Sequence, residues 1–377
     1  MHYKYITAAA ALASGLWLAS AQGAEQVVEL PRGIPYDLWE LLLPPDNPVT
    51  AEKIALGRQL YFDERLSKDQ TVSCATCHDP NRGFADGKAV AEGIEGRKGA
   101  RNSPTVLNAV FNEFQFWDGR VDSLEEQAKG PLINPLEMGF GSHAEVEAVV
   151  RNIPAYRDAF QAVFGRAPVI DDIAAAIATY ERTVVSGNSA FDRHAAGDTT
   201  ALSASAHRGL ALWSGKARCN TCHPVSEDAP FFTDNKFHNI GVAARARDFA
   251  ALARQAASLG AELDTLSHNE SFAELGRFLV TQQQKDLGAF KTPGLRDVAL
   301  TAPYMHDGSE PTLESVVEFY DRGGEPNPYL DGGIVPLKLT AEEKADLVAF
   351  MNALTSEGPG AADRPALRDP KTAKETR

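Results

Sequence analysis

Two short segments carry the chemistry that can be read directly from residue types. They are Cys74-Ala75-Thr76-Cys77-His78 and Cys219-Asn220-Thr221-Cys222-His223. A Cys-x-x-Cys pair offers two thiols on one side of a single turn. That arrangement suits a redox dithiol, half of a zinc site, or two thioether bonds to a porphyrin edge. The His directly after each pair separates these readings, because only the porphyrin attachment needs an imidazole there, to ligate the iron. All 4 cysteines of the chain fall in the two motifs, so none remains for a structural disulfide. The residues therefore predict two covalently bound c-type haems, with Cys74, Cys77, Cys219 and Cys222 as attachments and His78 and His223 as axial ligands.

What surrounds each motif decides whether such haems carry electrons or do chemistry. A carrier fills both axial positions, whereas a peroxidase leaves one open. Between residues 79 and 142 there is no His, and the sole Met is Met138, which leaves the sixth position at the first haem open. Glu137 is the carboxylate of the Asn134-Pro135-Leu136-Glu137-Met138-Gly139 stretch, and a carboxylate over an open haem can shuttle a proton between peroxide oxygens. Local sequence alone favours a solvated surface acid at Glu137. For the second haem the candidate sixth ligands are His238, His268, Met305, His306, Tyr320 and Met351. Leu313, Val316, Val317 and Tyr320 recur at helical spacing, so Tyr320 faces inward, as a hydrogen-bonded core tyrosine or as a ligand.

The elements that must position these groups are mainly helical. Thr50 caps a helix over 51–62 ahead of the first motif. Ser142 to Glu145 has the capping-box pattern and opens a helix carrying Val146, Val149 and Val150. A helix over 171–182 puts Ile173, Ile177 and Tyr180 on one face. A linker over 187–200 separates the halves, and a helix over 204–213 leads into the second motif. Residues 243–263 form a charged, Ala-rich helical insertion, and Thr340 to Glu343 cap a last helix. The region before Pro48 wraps the surface.

The expected class is mainly α, with two cytochrome c-like domains each holding one haem c and the haems bridged at the domain interface. Their bounds are 25–200 and 201–356. Residues 1–24 read as a secretory signal, with Lys4, an apolar run from Ile6 to Leu18 and small residues at Ala19-Ser20-Ala21 and Gln22-Gly23-Ala24. That run of 13 is short of the roughly 20 a spanning helix needs, so export to the periplasm is expected rather than anchoring. Residues 357–377 are a polar tail. The net charge of −14 argues against nucleic acid as a partner.

From about Pro44 to Leu354 the chain resembles the bacterial di-haem cytochrome c peroxidases and the MauG group among them. The likeness rests on Leu56-Gly57-Arg58, Ser103-Pro104-Thr105-Val106-Leu107-Asn108, Phe116-Trp117-Asp118-Gly119-Arg120, Asn134 to Met138, Phe237-His238-Asn239-Ile240-Gly241, Phe290-Lys291-Thr292-Pro293 and Leu300 to Gly308. The resemblance implies roles. Glu137 is the distal acid/base, Gln127 orders peroxide or water, Pro131 is a pocket wall and Trp117 passes electrons or holes between the haems. Asn102, with the carbonyls of Thr301 and Pro303, is a calcium site.

Three departures shape the expectation. Peroxide-scavenging members often carry a blocking His where this chain has Ile94, so no reductive activation is implied. Their Met ligand to the second haem is replaced by Tyr320, as in MauG, and a hard anionic phenolate favours high-valent iron where a thioether raises the potential. The surface Trp through which MauG relays holes is here Ala217, with Trp213 offset by one helical turn. The resemblance thus implies a MauG-like enzyme that uses hydrogen peroxide to oxidise an external donor through a high-valent di-haem state. That donor is Trp or Tyr of a partner protein. The alternatives are peroxide detoxification with electrons from a small cytochrome c or cupredoxin, and a simple di-haem electron carrier.

Overall fold

The computed structural model describes residues 28–245 and 248–357. The expected signal segment lies outside them, as does the expected tail beyond Glu357. Among the described residues the architecture is mainly helical. Its sheet is a two-stranded antiparallel ribbon, Phe237–His238 with Phe290–Lys291, in register Phe237 to Lys291 and His238 to Phe290. No described helix is long and apolar enough to cross a membrane.

Each haem motif sits in the same local frame. In the first half Thr50 accepts from the Lys53 N–H and starts the Ala51–Tyr61 helix, which crosses the Ile170–Glu181 helix. In the second, Ser203 accepts from the Ala206 N–H and starts the Ala204–Ser214 helix, which crosses the Ala341–Asn352 helix. Both crossings need glycine. A Cβ on Gly57 would overlap the Ala176 carbonyl, and one on Gly209 would overlap the Asp346 carbonyl. The close approach locks the helix pair, and the chain leaving the first helix then delivers the Cys-x-x-Cys-His turn to a fixed place.

The expected capping box at residue 142 forms by half. Ser142 accepts from the Glu145 N–H, but the Glu145 carboxylate turns back to the Gly141 N–H. Val146 and Val150 of the His143–Asn152 helix are buried as expected. The 187–200 segment differs from a plain linker. It contains the Ala190–Ala195 helix, opened by a Ser189/Asp192 capping box, and buries Phe191 and Asp192. The reason is electrostatic: Arg296 from the far half reaches into it and needs Asp192 as its partner. The segment before Pro48 likewise contributes core. Trp39 is buried, and its indole N–H donates to the Arg182 carbonyl at 2.9 Å. Residues 243–263 split into the Phe249–Leu259 helix and the start of the Leu263–Ser267 helix, with Phe249, Ala256 and Leu266 in a core cluster of their own.

Candidate haem sites

Two cavities hold the two motifs. The larger, about 280 Å³, is lined by Cys219, Cys222 and His223. The smaller, about 170 Å³, is lined by Cys74, Cys77 and His78. The two pairs thus line separate cavities, which removes a four-cysteine zinc site. All four cysteines are free of disulfides. Burial pushes the Cys77 and Cys219 thiols up to about 12. A redox dithiol needs a depressed thiol, so that reading also loses its physical basis. Cys222 lies with Asp234 and His238 in a group of metal-ligating type, but its sulfur is the one a haem attachment consumes.

Both histidines are prepared alike. His78 Nδ1 lies 3.3 Å from the Phe84 carbonyl and His223 Nδ1 lies 2.7 Å from the Phe232 carbonyl. A carbonyl only accepts, so Nδ1 carries the proton and Nε2 keeps the lone pair a metal requires. Burial lowers both imidazoles, His223 to about 4, which keeps them neutral. Each backbone is pinned by an aromatic donor on the preceding helix. The Tyr61 hydroxyl donates to the His78 carbonyl at 3.1 Å, and the Trp213 indole donates to the His223 carbonyl at 3.0 Å.

The smaller cavity gathers Glu137, Gln127 and Pro131 with His78. Leu124, Gln127, Ala128 and Pro131 line it from one face of the Leu124–Ile133 helix, at i, i+3, i+4 and i+7. Pro131 has no N–H to return to the Gln127 carbonyl one turn earlier, so the helix is weakened at the turn that faces the cavity. Ile94 is buried but does not line this cavity. It packs under Gly139, where a Cβ would strike its side chain.

Trp117 lines both cavities. Its indole N–H donates to the Asn102 carbonyl at 2.9 Å, and its own carbonyl accepts from the Lys291 N–H. Its neighbour Asp118 is fully buried between Arg101 and Arg120, at 2.7 and 3.1 Å. Burial alone would raise that carboxyl, but the two guanidinium charges outweigh it and hold it below the usual carboxylate range.

The larger cavity sorts the candidate sixth ligands. His238 is held between Asp331 at 2.6 Å and Asp234 at 3.0 Å, so neither ring nitrogen is free for iron. His306 is stacked on Phe290 and bonded to Glu274 at 3.1 Å. His268 lines the other cavity. Tyr320, Met305 and Met351 remain, all lining the larger cavity. Tyr320 makes no side-chain hydrogen bond among the described residues, and burial raises its phenol well above the ordinary value. Trp213 is buried and committed to His223, and Ala217 is buried beside it.

Other residues fit porphyrins although sequence reasoning passed over them. Lys291 is buried in the larger cavity with no anionic partner among the described residues, and burial lowers its ammonium to about 8. Arg101 lines the smaller cavity with its Nε unpaired. Lys291 offers a buried cation to an acidic cofactor such as a haem with its propionates, whereas the Arg101 charge is already met by Asp118 and its Nε N–H alone is left to donate. Local spacing gives no sign of either; only the Phe290 to Pro293 motif draws attention to Lys291.

The chain's residues 51–200 match the family model described as di-haem cytochrome c peroxidase. Over 336 residues the chain is 41% identical to the cytochrome-c peroxidase IdrP1 of Pseudomonas sp. (strain SCT), covering 86% of each chain. It belongs to the di-haem cytochrome c peroxidase family. This di-haem peroxidase is also 40% identical to the methylamine utilization protein MauG of Methylorubrum extorquens, covering 86% of this chain and 84% of that one. Its fold is similar to the crystal structure of a MauG-like protein associated with microbial copper homeostasis. There the TM-score is 0.73 and the identity 32%, over 93% of this chain and 99% of the other. The di-haem peroxidase is therefore an oxidoreductase whose family membership implies haem c.

Proposed function

We propose that this di-haem peroxidase is a MauG-like enzyme that uses hydrogen peroxide to oxidise an external donor, a Trp or Tyr side chain of a partner protein. Each cavity would hold one haem c, with Cys74 and Cys77 or Cys219 and Cys222 as its attachments and His78 or His223 as an iron ligand. The haems supply peroxide activation and storage of the two oxidising equivalents. The observation that carries the reading is Tyr320: a phenol with no hydrogen-bond partner among the described residues, lining the second cavity with His223. A core tyrosine would satisfy its hydroxyl. A tyrosinate ligand would not need to.

The chain's own groups fill the remaining roles. Glu137 takes a proton from one peroxide oxygen and returns it to the other. Gln127 holds peroxide or water in the pocket and Pro131 walls it. Trp117, which lines both cavities, passes charge between them. Asn102, Thr301 and Pro303 line the larger cavity. The Asn102 amide N–H donates to the Lys88 carbonyl, and its Oδ1 accepts no hydrogen bond among the described residues. Unengaged oxygens suit a hard cation, and calcium is assigned to them. The enzyme works in the periplasm, exported by the leader at residues 1–24, with domains at 25–200 and 201–356.

The second reading is detoxification of peroxide with electrons from a small cytochrome c or cupredoxin. Met305 and Met351, which also line the larger cavity, favour it. Ferric EPR of the purified protein, before and after peroxide, decides between the two. The first reading expects one high-spin haem that is lost on adding peroxide to the diferric protein, without prior reduction. Rapid turnover with reduced cytochrome c, and a Met-type spectrum at the second haem, would replace it with the second reading.

A further inference from the structure

The Leu263–Ser267 helix belongs to the second half of the chain, yet its C-terminal end lines the cavity of the first half through Ser267 and His268. Two contacts hold it there. Arg120 Nε bonds Asp264 at 2.9 Å, and His268 Nδ1 lies 2.7 Å from the Asp264 carbonyl. Because that carbonyl only accepts, Nδ1 carries a proton and Nε2 is the nitrogen that faces the pocket. It lies 3.6 Å from Glu137 Oε1. That separation is a few tenths of an ångström beyond a hydrogen bond, and such contacts tighten when a site is filled.

We propose that His268 is the proton relay for Glu137. This rests on the reading of Glu137 as the acid/base of the first cavity. Glu137 must exchange its proton with solvent to act again. Its side chain is 28% exposed, but it lines the cavity that a haem would fill. The His268 side chain keeps 20% of its surface exposed, so its ring reaches both water and carboxylate. One proton is then held either on Nε2, giving imidazolium beside carboxylate, or on Oε1, giving neutral imidazole beside carboxylic acid. No bond to carbon changes and no electron moves. His268 touches neither peroxide nor iron, so it is a positioning and relay residue rather than a catalytic one.

Potassium cyanide is the probe. Cyanide enters as HCN and leaves its proton behind on a pocket base, so its on-rate at the ferric first haem reads proton acceptance whether or not peroxide is turned over. His268→Gln should slow that on-rate about tenfold while the ferric EPR signals of both haems stay as in the parent. His268→Phe, which fills the space without a ring nitrogen, should do the same and so separates lost proton transfer from lost packing. Glu137→Gln should slow it as well, and the double variant should be no slower than Glu137→Gln alone, because the two act in series. A His268→Gln protein that binds cyanide at the parental rate overturns the proposal, as does a double variant whose losses multiply. If the parent binds cyanide but is inert to peroxide, the peroxidase reading falls and the relay stands on the cyanide rates.

Discussion

The backbone N–H of Ile94 donates to the carbonyl of Glu137 at 2.9 Å. The residue that replaces a blocking ligand in sequence is thus the one that pins the proposed acid in space. Its side chain adds to this, filling the core beneath Gly139. Trimming it should therefore be felt twice. Ile94→Val should cost about 1 kcal/mol and leave peroxide kinetics near the parental rate, whereas Ile94→Ala should cost about 2–5 kcal/mol. Ile94→Ala should also slow the bimolecular peroxide reaction, since the Glu137 turn loses its support. Denaturation of the haem-loaded protein and stopped-flow mixing with peroxide check both. An Ile94→Ala protein that reacts at the full rate would uncouple that packing from the acid.

Much of this frame is legible in the sequence. The Cys-x-x-Cys-His pairs, the Thr50 and Thr340 caps and the inward stripe of the Leu313–Asp321 helix all follow from local spacing. The stripe was incomplete, because Phe319 is fully buried against the Arg322 guanidinium, outside the expected positions. What local spacing could not supply were groups brought in from afar. His268 stood among the candidates for the second haem because it follows His223 in sequence, yet the fold carries it to the first. Lys291 and Glu181 are buried, and Arg101 is half-buried, at the cavities through tertiary packing that no periodicity records.

Tyr320 is testable without turnover. If the phenolate ligates iron, Tyr320→Phe should alter the ferric EPR and visible spectra of the second haem alone. Tyr320→Met should raise that haem's reduction potential, since a neutral thioether replaces an anionic donor. Potentiometric titration of both variants gives the comparison. Parental spectra in Tyr320→Phe would return the residue to the core and assign the position to Met305 or Met351.

Glu181 sets a pH dependence. It is buried in the wall of the first cavity with Oε2 unpaired, and burial, only partly opposed by Arg182, pushes its carboxyl up to about 8. A group raised on folding stabilises fully below its unfolded value and loses that contribution as pH climbs through its folded value. Between about pH 4.5 and 8 the unfolded chain releases this proton while the folded protein keeps it, so stability falls with rising pH. The loss is on the order of several kcal/mol at most. Glu181→Gln should flatten the curve across that window and leave the variant relatively more stable at pH 8. Chemical denaturation at stepped pH measures it; parallel curves for variant and parent would remove Glu181 as the source.

The junction of the two halves offers the last prediction. Arg296 and Asp192 are both buried and meet through two hydrogen bonds of 2.8 and 2.7 Å. The guanidinium is completed by the Pro230 carbonyl at 2.7 Å and the Gly33 carbonyl at 3.2 Å, and Asp192 also accepts from Ser189. So this pair ties the N-terminal segment, the Ala190–Ala195 helix and the second half at one point. Removing one partner strands a charge in the interior, and Asp192→Asn should cost about 3–5 kcal/mol. Removing both should hurt less. Asp192→Leu with Arg296→Met replaces a desolvated pair by apolar volume and should recover most of the loss, with a coupling energy of at least about 1 kcal/mol in the double-mutant cycle. Because the pair joins segments on both sides of the cavities, Asp192→Asn should also broaden the unfolding transition as the halves uncouple. A single sharp transition in that variant, with losses that simply add, would show that the halves are held together elsewhere, as by the Phe111–Phe231 stack at 3.9 Å and the Arg120–Asp264 pair at 2.9 Å.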